Sequence, residues 1–280
     1  MKKYLMFLGF LFLSFQTFSM SQSKTIEKVY YESKEDEQKQ LESSIEYVNS
    51  KKNGTAEVYS KEGLLIVKGN FKNDKRHGLW TFYYENSTVL QAVEFYEDDL
   101  LQGKQSYYYS NGKLQRIVAY VNNLLHGEQL YYYPNGKIQC VSRFENGERI
   151  GLWKWYNVAG KLEAEVKYSN SRRGTASLYN TNGTLSSKGP VINGYKSGTW
   201  KFFGDKGKVL YTMRYEKGQL LSYEAYDEDG SVLISEVFFQ EEDGSVGSIV
   251  DGKYEERSID IPQNDGKFPL GEIVDGERIQ

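Results

Sequence analysis

Short stretches of this chain alternate residue by residue, a pattern that predicts β-strands and not helices. In one such stretch Gln105 and Tyr107 would share one face of a strand, whereas Ser106 and Tyr108 would share the other, because successive strand side chains point to opposite faces. Both faces therefore carry aromatic rings. Polar dipeptides such as Asn111-Gly112 separate neighbouring stretches, and Asn-Gly favours a hairpin turn of type I′, in which both central residues need positive φ. The pattern predicts a series of β-hairpins.

The hairpins recur with a steady period. Glycines that precede an aromatic pair fall 23 to 25 residues apart, and a second glycine falls nine residues after most of them. The leading glycines are Gly54, Gly78, Gly103, Gly127, Gly151, Gly174 and Gly198. Such a period marks a repeat architecture, in which each unit buries its apolar face only by stacking on its neighbours. We attribute these glycines to positive φ in the tight turns between units.

The predicted fold is all-β: an elongated single-layer antiparallel meander of about eight stacked β-hairpin repeats, with a period of about 24 residues and a length of roughly 75 Å. Aromatics four places after each glycine lie on the face of Trp80, Trp153 and Trp200, and they predict a ladder of packed rings. Aromatics five places after it point to the opposite face, which a single-layer sheet leaves open. These candidate binding residues are Tyr83, Tyr108, Tyr132, Tyr156 and Phe203.

The boundaries of the array follow from where the pattern fades. Residues 22–53 are predicted to form a degenerate N-terminal repeat or cap, and residues 54–240 the repeat array. Within the cap, residues 41–48 favour a strand, although the spacing of Leu41, Ile45 and Val48 also fits a helix. Residues 241–280, rich in Gly and Asp, are expected to be a poorly packed cap or a disordered tail.

The first 21 residues have the layout of a signal peptide. Lys2 and Lys3 precede an apolar run from Tyr4 to Phe15, and small residues follow it. Cleavage near Gln22 would leave an exported chain, periplasmic or extracellular. A transmembrane anchor is the alternative, but the apolar run is short.

Composition indicates no catalytic, cofactor or metal chemistry. The net charge of −3 gives no reason to expect nucleic acid. The two histidines, His77 and His126, occupy equivalent turn positions two repeats apart, about 19 Å from each other, so one metal ion cannot bridge them. Clustered carboxylates such as Asp227, Glu228 and Asp229 fall in predicted turns, where solvated charge explains them. We therefore expect no enzyme, no cofactor and no metal site.

Several units resemble the MORN-repeat variant family. The unit GEQLYYYPNGKIQCVSRF (127–144) shows its glycine, aromatic pair, Asn-Gly-Lys and closing aromatic, and the resemblance covers about residues 45 to 240. Membership implies a sheet of one hairpin per repeat and a binding or scaffolding role. Bacterial members are often labelled antitoxins of toxin–antitoxin systems, a role that export argues against.

Three functions follow as expectations. The first is a non-enzymatic scaffold at the cell envelope that binds a protein partner and is itself monomeric. The second is binding of surface carbohydrate or a lipid headgroup, since rows of Tyr and Trp offer apolar ring faces. The third is an antitoxin-type partner of a toxin.

Overall fold

A computed structural model describes residues 23–32, 39–240, 246–250, 253–255, 273–274 and 277–278. The described residues form strands and turns, with no helix among them. Accordingly, the described part of the chain contains no helix with the length and hydropathy needed to cross a membrane. The predicted signal peptide lies outside these residues.

The strands follow one another closely along the chain. Those of the first half are β1 (Lys24–Tyr30), β2 (Leu41–Val48), β3 (Lys51–Tyr59), β4 (Leu65–Lys72), β5 (Lys75–Arg76), β6 (Gly78–Tyr83), β7 (Leu90–Glu97), β8 (Leu100–Leu101), β9 (Gly103–Tyr108), β10 (Leu114–Val121), β11 (Leu124–Leu125), β12 (Gly127–Tyr132), β13 (Ile138–Glu145) and β14 (Glu148–Arg149). Those of the second half are β15 (Gly151–Tyr156), β16 (Leu162–Asn170), β17 (Arg173–Tyr179), β18 (Leu185–Ile192), β19 (Tyr195–Lys196), β20 (Gly198–Phe203), β21 (Val209–Glu216), β22 (Gln219–Tyr226), β23 (Val232–Gln240), β24 (Val246–Val250), β25 (Lys253–Glu255), β26 (Ile273–Val274) and β27 (Glu277–Arg278).

The topology is a meander. Strands β1 to β25 form one antiparallel sheet in which each long strand pairs with the next long strand, and β26 and β27 form a separate pair. Two-residue strands such as β5 and β8 are the first pieces of the strands that follow them. This confirms the predicted all-β stack of hairpins. Leu41–Val48 is a strand between β1 and β3, so the helical alternative is wrong. Strands β24 and β25 extend the sheet beyond residue 240.

The repeat glycines lie inside strands, so the expectation that they sit in tight turns is wrong. Gly78, with φ of 77°, follows an interruption between β5 and β6, where the N–H of His77 donates to the carbonyl of Asn70 at 2.9 Å. His126 occupies the same kind of interruption, and its N–H donates to Ala119. A positive φ is still what the glycine supplies here, but it bends a strand instead of reversing the chain.

The prediction placed a type I′ turn, with positive φ at both central residues, at the Asn-Gly pair within a hairpin. In the structure, turns with positive φ at both central residues lie between units instead. At Asn111-Gly112 only the glycine has positive φ, and its N–H donates to the carbonyl of Tyr109 at 2.8 Å, so the turn is type I followed by a left-handed glycine. The two-residue turns with positive φ at both positions join successive units, as at Asn122 and Asn123. Asn tolerates that conformation better than other non-glycine residues.

One face of the sheet carries the core. The side chains two and four places after each glycine lie on this face, together with their partners on the returning strand. Its most buried large side chains include Trp80, Tyr131, Trp153, Trp155 and Trp200. The predicted core face is therefore correct for the rings that the sequence identified.

The aromatic ladder is interrupted, contrary to the expectation of one continuous row. Trp80 packs on Phe71 and Tyr96 in one cluster, whereas Trp153 packs on Phe144 and Tyr168 in another. In the two units between Trp80 and Trp153, the position two places after the glycine holds buried Gln105 and Gln129 instead of a ring. Trp80 and Trp153 thus each contact the closing aromatics of the adjacent strands.

Tryptophan and glutamine two places after the repeat glycine make the same hydrogen bond. Each donates a side-chain N–H to the carbonyl of the residue ten places earlier, as Trp80 does to Asn70 at 3.1 Å and Gln129 to Ala119 at 3.3 Å. Trp153, Trp200 and Gln105 repeat the contact. The same carbonyl also accepts the backbone N–H of the residue before the repeat glycine, as Asn70 accepts that of His77, so the side chain adds a second hydrogen bond beside the strand interruption.

In the described part of the chain, no second layer covers the core face. Basic side chains pack over its aromatic rings instead. The guanidinium of Arg76 lies 3.9 Å from the ring centroid of Tyr96, and that of Arg149 lies 5.7 Å from Trp153. Lys196 sits over Trp200 at 5.0 Å and is itself buried, which lowers the pKa of its ammonium group. The equivalent positions in the middle units hold leucines that pack on the clusters, Leu101 and Leu125.

Candidate binding surface

The face opposite the core carries an unbroken row of directly opposed side chains. We call it the middle row: it consists of the third residue after each repeat glycine and that residue's partner on the returning strand. Its members are Glu57, Lys68, Thr81, Val93, Ser106, Ile117, Leu130, Val141, Lys154, Glu165, Ser177, Lys188, Lys201 and Thr212. Because directly opposed residues point to the same side of a sheet, these side chains form one continuous line across the repeats.

No second layer packs on this face in the part of the chain that the structure describes. Each strand there contacts its neighbours within the sheet. A row parallel to the middle row, which we call the outer row, lies two residues closer to the repeat glycines. It includes Leu79 opposite Phe95 and Leu152 opposite Lys167, and the two leucines are exposed. The surface is therefore open to a partner.

The predicted binding residues form a stripe along one edge of this face. Each is the last residue of its strand, and each is half-buried instead of fully exposed. Their partners across the hairpin are all aliphatic: Tyr83 faces Leu90, Tyr108 faces Leu114, Tyr132 faces Ile138, Tyr156 faces Leu162 and Phe203 faces Val209. The register shifts by one residue immediately before each of these pairs. The structure thus places all five side chains in equivalent positions, one per repeat.

A chain of tyrosine hydroxyls fixes the backbone of this stripe. Tyr109 donates to the carbonyl of Tyr132 at 2.6 Å, and Tyr133 donates to the carbonyl of Tyr156 at 2.8 Å. Tyr84 makes the same bond to Tyr108. Sequence reasoning did not assign these third aromatics of each triplet a role; their recurrence six places after the glycine is the signal that identifies them.

The opposite edge of the sheet is joined between repeats by turn side chains. The carboxylate of Asp99 accepts the backbone N–H of Arg76 at 2.9 Å, and that hydrogen bond, together with the Arg76 guanidinium, lowers the pKa of Asp99. The amide oxygen of Asn123 accepts the N–H of Leu101 in the same way at 2.6 Å. Hydrogen bonds therefore join consecutive units at both edges of the candidate surface.

The acidic turn at Asp227 is stabilised by its own hydrogen bonds. Among the described residues, no group of three or more potential metal ligands lies together. The carboxylate of Asp227 accepts the N–H groups of Asp229, Gly230 and Ser231 and the hydroxyl of Ser231. The side-chain hydrogen bond with Asp229, followed by the one with Ser231, lowers the pKa of Asp227 to about 2. This carboxylate therefore stabilises its own turn.

Comparison with known families identifies the repeats. The model described as "MORN repeat variant" matches residues 76–98, 101–122 and 125–146. Residues 76–146 therefore contain three consecutive MORN repeats of the variant type. These three units are also the ones whose turns hold Tyr84, Tyr109 and Tyr133. Hairpins outside the matched segments pair in the same register.

Similarity to solved structures is local. A crystal structure of S. aureus TarM is 18% identical over 31% of this chain, with a TM-score of 0.27, and a second TarM structure is 19% identical over 32%, with a TM-score of 0.27. The chain spans 18% of the length of each. A TcdB2–TccC3 structure is 11% identical over 83% of this chain and 14% of its own, with a TM-score of 0.15. No curated protein matches the sequence.

Proposed function

We propose that this chain is a non-enzymatic scaffold whose outward face binds a protein partner at the cell envelope. The observation that supports the proposal is the stripe of half-buried aromatic side chains, one per repeat, on a face that no second layer of the described chain covers. Large aromatic rings that are partly exposed on a rigid surface are favoured anchors for protein binding. The hydrogen-bonded backbone of the stripe keeps those anchors pre-organised.

A protein partner accounts for the surface better than a glycan does. Carbohydrate sites stack sugars on open ring faces, and tryptophan offers the largest such face. All four tryptophans, Trp80, Trp153, Trp155 and Trp200, are buried in the core instead. The rings left for binding are chiefly tyrosines set against aliphatic partners.

Location at the envelope rests on the first 21 residues. Lys2, Lys3 and the apolar run from Tyr4 to Phe15 support export and removal of the leader. Intact-mass measurement of the protein from its host decides the matter: a mature chain that starts near Gln22 supports export. An uncleaved Met1 in the cytosolic fraction would contradict it and favour an antitoxin-type role.

The binding face is tested by comparing two ring truncations. Trp155→Ala removes a buried ring and should cost about 3 to 5 kcal/mol of unfolding free energy through lost burial and cavity formation. Tyr132→Ala should cost much less, yet weaken capture of the envelope partner. Thermal melts and pull-downs from envelope extract measure both effects, with purified wall polysaccharide as the competing ligand. Equal destabilisation by the two variants, or capture unaffected by Tyr132→Ala, would contradict the assignment.

A further inference from the structure

The outward face divides into two halves of different chemistry. In the first half, the middle row is apolar at Val93, Ile117, Leu130 and Val141, interrupted by Ser106. The outer row adds two exposed apolar side chains beside it, Leu79 (58% exposed) and Phe95 (39% exposed). An exposed apolar patch of this kind, on a protein face, marks an interaction site.

The second half is basic and its charges are unbalanced. Lys188 and Lys201 stand directly opposite each other on adjacent strands, and both are exposed. Both outer-row neighbours are basic: Lys167 lies two strands from Lys188, a lateral distance of about 10 Å, and Arg214 lies on the strand next to Lys201, about 5 Å away laterally. None of these four basic groups forms an ion pair with a carboxylate in the described part of the chain, where the ion pairs lie elsewhere.

Most other charges on this face stand opposite a charge of the other sign, although Lys104 stands opposite Ala119. Lys68 pairs with Glu57 at 2.8 Å, and Lys154 and Arg143 each stand directly opposite a glutamate. Two lysines in direct opposition destabilise a sheet, because like charges are held within a few ångströms. A surface that balances its charges in most repeats and concentrates unmatched lysines in one place is complementary to a negatively charged partner.

We propose, building on the scaffold function above, that this face binds an extended segment of a protein partner that is apolar over one part and acidic over the next. The apolar part lies on the row from Val93 to Val141, and the carboxylates lie on Lys188, Lys201 and their basic neighbours. The two halves are continuous in one row, which favours a polypeptide. A polyphosphate chain is charged along its whole length and would make no favourable contact with the apolar half. From β7 to β21 the face measures about 48 Å, which an extended peptide of about 15 residues spans.

The test uses a defined peptide probe and the full-length mature chain. The probe is a fluorescein-labelled 16-residue peptide with alternating valine and serine in one half and glutamate in the other. Fluorescence anisotropy gives its Kd, in comparison with a scrambled peptide of the same composition, inorganic polyphosphate and vesicles containing phosphatidylglycerol. We expect the two-part peptide to bind more tightly than the scrambled one, and its binding to weaken as the NaCl concentration rises from 50 to 500 mM.

Matched variants assign the binding to this surface. Lys188→Glu/Lys201→Glu should weaken peptide binding at least ten-fold, whereas Lys113→Glu/Lys206→Glu, with the same change of charge at exposed turn positions, should change it less than two-fold. Equal effects of the two double variants, or stronger binding of polyphosphate or vesicles than of the peptide, would overturn the proposal.

The scaffold function is separable from this inference. Capture of the envelope partner that fails with Tyr108→Ala/Tyr132→Ala but persists with Lys188→Glu/Lys201→Glu would retain the scaffold and refute the acidic segment. Capture that is insensitive to both double variants would refute the binding face as a whole. Circular dichroism melts of all variants confirm that each is folded at the assay temperature.

Discussion

The hydroxyl of Tyr109 donates a hydrogen bond to the carbonyl oxygen of Tyr132, 2.6 Å away and 23 residues further along the chain. Tyr109 follows the end of one strand, and Tyr132 ends the equivalent strand of the next unit. The bond therefore joins consecutive repeats through a residue that forms no part of the core face. In a repeat protein, such interface bonds set the coupling between units and hence the cooperativity of unfolding.

Removing this hydroxyl should weaken that coupling. Tyr109→Phe retains the ring but leaves the Tyr132 carbonyl without its protein donor, and we expect a loss of about 0.5 to 1.5 kcal/mol. Tyr108→Phe, which removes a neighbouring hydroxyl outside this chain of bonds, should have little effect. Chemical denaturation followed by far-ultraviolet circular dichroism measures both. A loss in Tyr108→Phe as large as that in Tyr109→Phe would contradict the interpretation.

Gly189 and Trp200 form a size-matched pair. A Cβ at Gly189 would lie 2.4 Å from the Trp200 ring, so Gly189→Val should overpack the core and destabilise it by about 1 to 3 kcal/mol. The equivalent places three units earlier hold Val118 and Gln129. Adding Trp200→Gln to Gly189→Val reproduces that natural pair and should recover part of the loss. A double variant less stable than Gly189→Val would show that the two positions are not coupled through space.

Lys196 covers the rings of Trp200 and Tyr215 while its ammonium group is largely removed from water. Lys196→Leu should fold with stability within about 1 kcal/mol of the parent, because the lost cation–π contact is offset by the removal of a buried charge. Leu101 and Leu125 already fill equivalent places. Lys196→Glu should cost about 3 kcal/mol, since an unpaired carboxylate would then face the rings. Thermal unfolding at neutral pH compares Lys196→Leu with Lys196→Glu. Similar melting temperatures would contradict the claim that this position tolerates an apolar side chain better than an unpaired carboxylate.

Cys140 is 1% exposed, and burial raises the pKa of its thiol to about 12. Iodoacetamide should therefore leave it unmodified in the folded protein and alkylate it on unfolding. From pH 9 upward the unfolded chain loses the thiol proton while the folded chain keeps it, so stability should fall as pH rises, by as much as about 2 kcal/mol at pH 10.5 from this group. Cys140→Ala should show a shallower decline, and parallel stability profiles for the two proteins would contradict the burial effect.

The opposed lysines on the outward face should reduce stability. Lys201→Thr relieves the repulsion from Lys188 and places at this position the residue type found at Thr212, so we expect a gain of about 0.2 to 1 kcal/mol. Lys154→Thr is the matched control, because it separates Lys154 from Glu165 and should not stabilise. Denaturation midpoints measure both changes. A loss of stability in Lys201→Thr would mean that the lysine pair supports the fold and is not retained for binding.

Much of the fold could be predicted from local signals. Glycine spacing gave the number and length of the units, and strand alternation placed Trp153 and Trp155 on the core face. The exchange of turn types could not be predicted, because Asn-Gly fits both a type I′ turn and a type I turn followed by a left-handed glycine. Which of them forms depends on the register shift beside Tyr108 and Tyr132, and that shift is set by pairing with residues on another strand.

The sequence by itself determined the repeat, its all-β character and the candidate stripe from Tyr83 to Phe203, because period and alternation are properties of the chain alone. The tertiary structure decided which repeats interrupt the ring ladder, how Tyr109 reaches the next unit and which lysines stand opposed. These features depend on distances between residues 10 to 24 places apart, which only the stacking of hairpins brings together. A linear pattern specifies the face on which a side chain lies; its neighbours on that face are fixed when the strands pair in register.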